Sequence, residues 1–345
     1  MQRVDYCQLR KKTFMKNCKI FISALLTSVI MLSCSGGGDS VLLPTITGAA
    51  YDLLVVGDAR VWKDSAGQVL FDVLDEDVPG LPQSEPQFNI SFIPSKEFSS
   101  ILRPARNILL FSIDDKMYTH GKVSYARNRW AKPQAIVQIT APNQSEMMKV
   151  VTEKATEIVD FLVDAECARS LDFFRRYANN EGRELIRKEL NVNLSLPDFM
   201  NKYKVGENFV WISNGSLDSR LDLVVYRTPY KGPDDFKQEH LLMIRDSVLK
   251  VNVPGPSDGS YMTTEVQFFK PLYREFMFEG KYCAELRGLW RVEGDIMGGP
   301  FVSRSYYDEA RQEIVTAEAF VYAPQHKKRN KMRQIESILR SVEIN

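Results

Sequence analysis

Between Tyr51 and Asn345 the apolar residues fall mainly into short runs bounded by turn residues, with few helical stretches between them. This patterning limits the fold more than any other feature. "YDLLVVGD" from Tyr51 is a compact run ended by Gly57 and reads as a strand. "FNISFIP" alternates Phe88, Ile90 and Phe92 with Asn89 and Ser91, which gives one buried face. "NILLFSID" from Asn107 and "AIVQIT" from Ala135 are further strands. A long helix follows: Asn143 with Glu146 makes a capping box, and Met148, Val151, Ala155, Ile158, Leu162 and Ala165 step by three and four along one face. Asn179, Asn180 and Gly182 interrupt that pattern and mark a joint. The second half repeats the style, with strands at "NFVWIS", "LDLVVYRT", "EVQFFK", "REFMFEG", "AELRGLWRVEG" and "IVTAEAFVYAP". A helix from Asp234 carries Leu241, Ile244, Val248 and Val251, and a last helix carries Met332, Ile335, Ile338 and Val342. Strands in runs with few helices between them indicate an α+β fold. The expectation is mainly antiparallel sheets and a few packed helices, in two similar-sized lobes, residues 51–182 and 183–345.

The N-terminus is set apart from this folded part. The apolar run Ile20–Leu32 has thirteen residues, preceded by Lys16 and Lys19. As a helix it would be about 20 Å long, short of the ~30 Å hydrocarbon core of a bilayer. Basic residues, a short apolar stretch and then small residues make a secretory signal peptide. Met31-Leu32-Ser33-Cys34 resembles a bacterial lipobox, although Met31 stands where leucine is usual. The resemblance implies that the Cys34 thiol receives a diacylglycerol, that cleavage follows before Cys34, and that the new amino group is acylated with a chain such as palmitate. Residues 1–33 are then a signal peptide, and residues 34–50 are a lipid anchor and a flexible linker opened by Ser35-Gly36-Gly37-Gly38. Met15 gives a more compact basic region than Met1 and is the expected start of translation.

Charge and cysteine usage narrow the partners. The first 33 residues hold six of the 45 basic residues and one of the 44 acidic ones, so the remainder carries 39 against 43, a net of −4. That balance, with no basic cluster interleaved with aromatics, argues against nucleic acid. Beyond Cys34 only Cys167 and Cys283 remain. An oxidising compartment permits a bridge between them, and two separate buried thiols are the reading favoured by the burial habit of free cysteine. The three histidines, His120, His240 and His326, are far apart in sequence, so no metal site or cofactor is expected.

Candidate chemistry is sparse. Gly255-Pro256-Ser257-Asp258-Gly259 matches GxSxG, and Asp295 or Asp308 with His326 would complete a triad in hydrolase order. The residues that follow, "SYMTTEVQFF", read as a strand where a nucleophile elbow needs a helix, so Ser257 is expected to be a turn residue. "GDIMGGP" from Gly294 lacks the Lys-Ser/Thr of a phosphate loop and reads as a turn. In "RGLWRVEGDIMGGPF", Leu286, Gly288, Trp290 and Val292 share one strand face, while Arg287, Leu289, Arg291 and Glu293 share the other. Trp290 is expected in the core. The alternative use of this stretch is a recognition patch of Arg287, Arg291, Glu293 and Asp295 beside Gly298 and Gly299, with the glycines admitting a ligand close to the backbone.

"LPQSEPQF" from Leu81, "WAKPQAIVQITAP" from Trp130, "NVPGPSDGSYM" from Asn252 and "RGLWRVEGDIMGGPFVSR" from Arg287 resemble a family of Bacteroidetes-type lipoproteins classed as a domain of unknown function. The likeness extends over most of the chain after Cys34, and its last motif is the most specific. It implies an envelope address and an architecture but no activity. The expectation is therefore a lipid-anchored cell-envelope protein, on the outer membrane and facing the periplasm. It is read as a non-catalytic module for an envelope protein or small ligand, the alternative being an envelope hydrolase using Ser257.

Overall fold

The structure is a computed structural model and describes residues 42–344. Met15, the run Ile20–Leu32, Cys34 and residues 34–41 of the linker lie outside the described residues. From Pro44 onward the chain forms one compact unit. It opens with β1 (Asp52–Gly57), α1 (Ala59–Trp62), α2 (Ser65–Leu74), β2 (Asn89–Pro94), β3 (Asn107–Ile113), β4 (Lys122–Arg127), β5 (Ala135–Ala141), α3 (Gln144–Glu153) and α4 (Ala155–Arg176). It continues through α5 (Asn180–Leu190), β6 (Val192–Asn193), β7 (Lys202–Gly206), β8 (Phe209–Ser213), β9 (Arg220–Pro229) and α6 (Gln238–Asn252). The remainder is β10 (Tyr261–Glu265), β11 (Leu272–Phe278), β12 (Lys281–Glu293), β13 (Gly298–Asp308), β14 (Glu313–Tyr322), α7 (Arg329–Leu339) and β15 (Glu343–Ile344).

The fold is α+β with mainly antiparallel sheet: among the described strands nine pairings are antiparallel and three parallel. The parallel ones are all in the first sheet, ordered β2-β1-β3-β5-β4, where only β4 runs against its neighbour. The β1–β2 pair follows from α1 and α2, helices not expected from the sequence. They return the chain so that β2 starts at the same end as β1, as a parallel pair requires. β3 and β5 are buried almost throughout, as strands covered on both faces are. One face packs under α2, α3 and α4 through Leu70, Val151, Ile158 and Leu162. The other holds Val56, Ile108 and Ile136 under loop residues that include Phe98 and Trp130. Gly57 is obligatory here, since a Cβ would stand 2.1 Å from the Phe111 ring.

The second sheet is antiparallel throughout, in the order β10-β12-β13-β14-β9-β8-β7, with β11 continuing the β10 edge along β12. Its central strand β13 was not among the sequence expectations. One face of this sheet packs on α6 through Phe209, Leu249, Trp290 and Phe301, and the other on α5 and α7 through Ile186, Val225, Ile335 and Ile338. Local signals fix the helix ends. Asn143 Oδ1 accepts from Glu146 N at 2.9 Å, while the Glu146 carboxylate goes to Gly121 N rather than back to Asn143, so only half of the capping box forms. Asn179 is the N-cap of α5, accepting from Gly182 N at 2.9 Å. In α6 the buried stripe is Leu241, Arg245 and Leu249, and Val251 is exposed. The expected stripe was rotated because it left out an arginine. Arg245 is held inside by Glu318 (Nε–Oε2 2.8 Å) and by Thr264 Oγ1 (2.8 Å), with its guanidinium 3.8 Å from the centre of the Phe301 ring.

Candidate functional site

β12 carries most of the residues singled out from the sequence, and its two faces follow the expected alternation. Ala284, Leu286, Trp290 and Val292 enter the core under α6, and Trp290 is 1% exposed with its Nε1 donating to Val321 O at 3.3 Å. On the opposite face the row divides. Arg287 lies beneath α7 and is buried, whereas Arg291, four residues on, emerges from the sheet and pairs with Glu293 (2.7 Å) and Glu265 (3.6 Å). Asp295 accepts from Ser257 Oγ at 2.9 Å. Arg291 and Glu293 are thus together, Asp295 sits with Ser257 in the neighbouring turn, and Arg287 is apart from all three. Gly298 and Gly299 do not form a turn with Pro300: they open β13, opposite Arg291 and Trp290. Gly299 has a packing reason, since a Cβ there would stand 2.0 Å from Val321 O.

The residues of the GxSxG stretch do not form a relay. Ser257 is exposed in a turn before β10 and bonds directly to a carboxylate. His326 is exposed in the connector after β14 and makes no hydrogen bond to Ser257. Asp308 ends β13 and pairs with Arg227 at 2.8 Å, a strand length of roughly 35 Å from the turn that holds Asp295. Cys167 and Cys283 are free buried thiols in separate cores, and burial pushes the Cys283 thiol up to about 12. Among the described residues no three of His, Cys, Asp and Glu gather as a metal site would need, and no helix is long and apolar enough to cross a membrane.

The concentrated chemistry lies where Arg287 goes. Arg274 on β11, Glu285 on β12 and Arg304 on β13 stand directly opposite one another across three neighbouring strands. Glu285 is fully buried and accepts from Arg274 Nε (2.9 Å), Arg287 Nε (2.7 Å) and Arg304 Nε (2.8 Å). Arg287 also reaches Glu336 on α7, which pairs with Arg333 three residues earlier at 3.2 Å. Burial works against ionising Glu336, but Arg287 and Arg333 outweigh it and hold its carboxyl well below the usual range. Glu285 is held below its ordinary value in the same way, chiefly by Arg287 and Arg304 against the cost of burial.

α7 is aligned over this row by the stretch that begins "LPQSEPQF". Its alternate residues face the helix, as an extended chain dictates. Gln83 meets Lys328 Nζ (3.0 Å), and Glu85 accepts from the backbone N–H groups of Lys328 (2.6 Å) and Arg329 (3.0 Å). Gln87 accepts from Arg333 (2.8 Å) and Asn89 from Arg329 (3.1 Å). A carboxylate on the first N–H groups of a helix satisfies unpaired donors and complements the helix dipole.

Beside this network is an open cleft of about 230 Å³. Glu285 and Arg287 of β12 line it together with Arg274 of β11, and Arg333 and Arg340 enter from α7 and its C-terminal end. Val159, Asp160 and Val163 of α4 and Pro79 and Gln87 of the preceding segment close the far side. The cleft therefore lies between the second sheet and α4, the long helix packed on the first. Arg340 pairs with Asp164 of α4, and the buried Nε atoms of Arg333 and Arg340 and Nη1 of Arg304 have no hydrogen-bond partner among the described residues. Five arginines (274, 287, 304, 333 and 340) face four carboxyls (Asp160, Asp164, Glu285 and Glu336). Burial, reinforced by Asp164, raises the Asp160 carboxyl above its ordinary value.

Of these residues only Arg287 stood out in the sequence. The available signals were Glu285 and Arg287 two apart on one strand face, and Arg329, Arg333 and Glu336 at helical spacing beside the apolar stripe of α7.

Comparison with known proteins agrees in extent with the whole described unit. Residues 179–341 match the family described as domain of unknown function DUF4837, and residues 46–175 match that described as domain of unknown function DUF8532. No curated protein matches. A crystal structure from Bacteroides thetaiotaomicron VPI-5482 is similar at 10% identity and a TM-score of 0.20, and the match spans 45% of this chain and 45% of the length of that one. The chain is thus similar, in two consecutive segments that meet just before α5, to two domains of unknown function.

Proposed function

We propose that this chain is a lipid-anchored cell-envelope protein, held to the outer membrane through Cys34 and facing the periplasm. Its folded part is a non-catalytic binding module whose site is the cleft between α4, β11, β12 and α7. The single observation that carries the binding reading is that cleft: Arg274, Arg287, Arg333 and Arg340 line a concave surface between the second sheet and α4, the long helix packed on the first. Sites assembled where two layers of structure meet, apolar in body with a few convergent polar groups, are the usual form of a small-molecule pocket. The anchoring reading is supported by the lipobox-like Met31-Leu32-Ser33-Cys34 and the glycines after it. A small ligand is favoured over a flat protein interface because the convergent charge lies in a recess.

The test uses full-length protein extracted in mild detergent from the envelope of a native host and examined by native mass spectrometry. A bound small molecule is expected on the wild-type chain and is lost from Arg274→Ala. Arg274 is half exposed, so its truncation leaves the core intact. A chain that carries no small molecule, and gains no thermal stability from any fraction of an envelope extract, contradicts the proposal.

A further inference from the structure

We infer that the cleft takes a small organic anion, with a carboxylate or phosphate group held by Arg274, Arg333 and Arg340 and a short apolar body against Val159, Val163 and Leu272. This rests on the cleft being a binding site, and it adds the chemical class of the ligand. Three observations lead to it. First, the local count of five guanidiniums against four carboxyls leaves positive charge uncompensated. Second, the guanidiniums are not saturated. Arg333 gives one Nη to Glu336 and the other to Gln87, Arg340 gives Nη1 to Asp164, and the buried Nε of each is without a partner among the described residues. The guanidiniums that reach the open side of the cleft are those of Arg274 and Arg340, whose side chains keep 59% and 25% of their surface, and an incoming oxyanion meets charged N–H groups there. A planar guanidinium presents parallel N–H groups that match the oxygen pair of a carboxylate or phosphate. Third, the lining is only partly charged. Pro79, Val159, Val163 and Leu272 supply an apolar wall that a bare inorganic ion would leave unused. The volume, about 230 Å³, falls below the ~300–1,000 Å³ of pockets for drug-sized ligands.

Asp160 makes the inference sharp, because it faces Arg274, Arg333 and Arg340 from α4 with Asp164 beside it. Its negative charge opposes an anion in the cleft. Asp160→Asn removes that charge at nearly constant volume, so it must tighten an anionic ligand and leave a neutral one unaffected.

Isothermal titration of the full chain in low salt, with glutarate, inorganic phosphate and glutaramide as probes, tests this. Glutarate is expected to bind saturably and phosphate more weakly, with no saturable heat from glutaramide. If phosphate binds and glutarate does not, the ligand is a phosphate compound; the converse assigns a carboxylate. Arg274→Ala should weaken the bound anion at least about 10-fold, and Asp160→Asn should tighten it by roughly 5-fold, the effect of one unit charge several ångströms away in a half-solvated cleft. Saturable binding of neither anion, or anion binding indifferent to both substitutions, overturns the inference. A neutral molecule found on the native protein and lost from Arg274→Ala would also overturn it, yet leave the binding-module reading standing.

Discussion

Glu336 is the residue on which the interior between α7 and the second sheet most depends for charge balance. It is 1% exposed and accepts from Arg287 and Arg333, both buried. Glu336→Gln keeps the volume and removes the charge. Arg287 would still have Glu285, but Arg333 would lose the one carboxylate it pairs with directly among the described residues and keep the neutral Gln87. Removing one member of a buried ion pair typically costs about 3–5 kcal/mol, because the cation left behind stays desolvated. For a unit of about 300 residues, with an unfolding entropy of ~2.1 cal/mol/K per residue, that cost lowers Tm by about 5–8 °C. Differential scanning calorimetry of wild type and Glu336→Gln reads this directly. pH supplies a second arm. The Glu336 carboxyl titrates well below its unfolded value of ~4.3, so as pH falls past that value the unfolded chain takes up the proton first and the native state loses this stabilisation. The stabilisation is therefore fully present above about pH 5, and the gap between wild type and Glu336→Gln should narrow as pH drops towards 3. Replacing the pair together, Arg333→Met with Glu336→Leu, should recover much of the loss, since no unpaired charge remains. A Tm shift within 1–2 °C (roughly 1 kcal/mol), or a gap that stays constant from pH 7 to pH 3, would refute the claim that this pair is desolvated and mutually dependent.

Other outcomes follow from the same geometry. Trp290→Ala should cost about 3–5 kcal/mol by urea unfolding, since the ring is enclosed between α6 and the sheet; a loss below ~1 kcal/mol would mean the site collapses freely. Glu85→Ala should cost about 1–2 kcal/mol and speed amide exchange in the first turn of α7, because both carboxylate oxygens cap that turn; unchanged exchange there would count against it. Arg291→Ala with Glu293→Ala should leave Tm within about 1–2 °C of wild type, as a half-exposed pair contributes ~0–1 kcal/mol; a large fall would make the pair structural. Cys34→Ala should abolish incorporation of labelled fatty acid in a native host and release the chain from membranes, and a labelled mutant would exclude Cys34 as the lipid site.

How far the sequence led can be traced residue by residue. The parity of β12 was legible because strand alternation is a local property, and it placed Trp290 and Val292 inside without reference to any other strand. β13 was not legible. It opens with Gly298-Gly299-Pro300, which reads as a turn, and its middle carries Ser303, Arg304 and Ser305, all buried. Those polar groups are tolerated inside only because Glu285 and Thr316 stand across from Arg304 and Ser305 on adjacent strands, and such pairings are set by register between distant segments. The same reason hid Arg245, Arg333 and Glu336, which in a helix read as a solvated face until their partners are known. The parallel order of the first sheet escaped as well, because it depends on the connections between strands, α1 and α2 among them, rather than on anything in the strands. The candidate site was visible only as Arg287. Apart from Glu285 on the same strand, its remaining members come from β11, α4, α7 and the residues before β2, and no local pattern connects these elements.

The most direct test of the binding account is to observe the arginine Nε–H groups themselves. In ¹⁵N-arginine-labelled protein, the Nε–H resonances of Arg333 and Arg340 report on buried donors that have no acceptor among the described residues. Titration with glutarate should move the signals of Arg274, Arg333 and Arg340 together along one saturable curve, with Arg60 and Arg187 on the surface unmoved. Small shifts spread over all arginines and linear in concentration would contradict it, and would make the arginine cluster a scaffold that joins the two sheets.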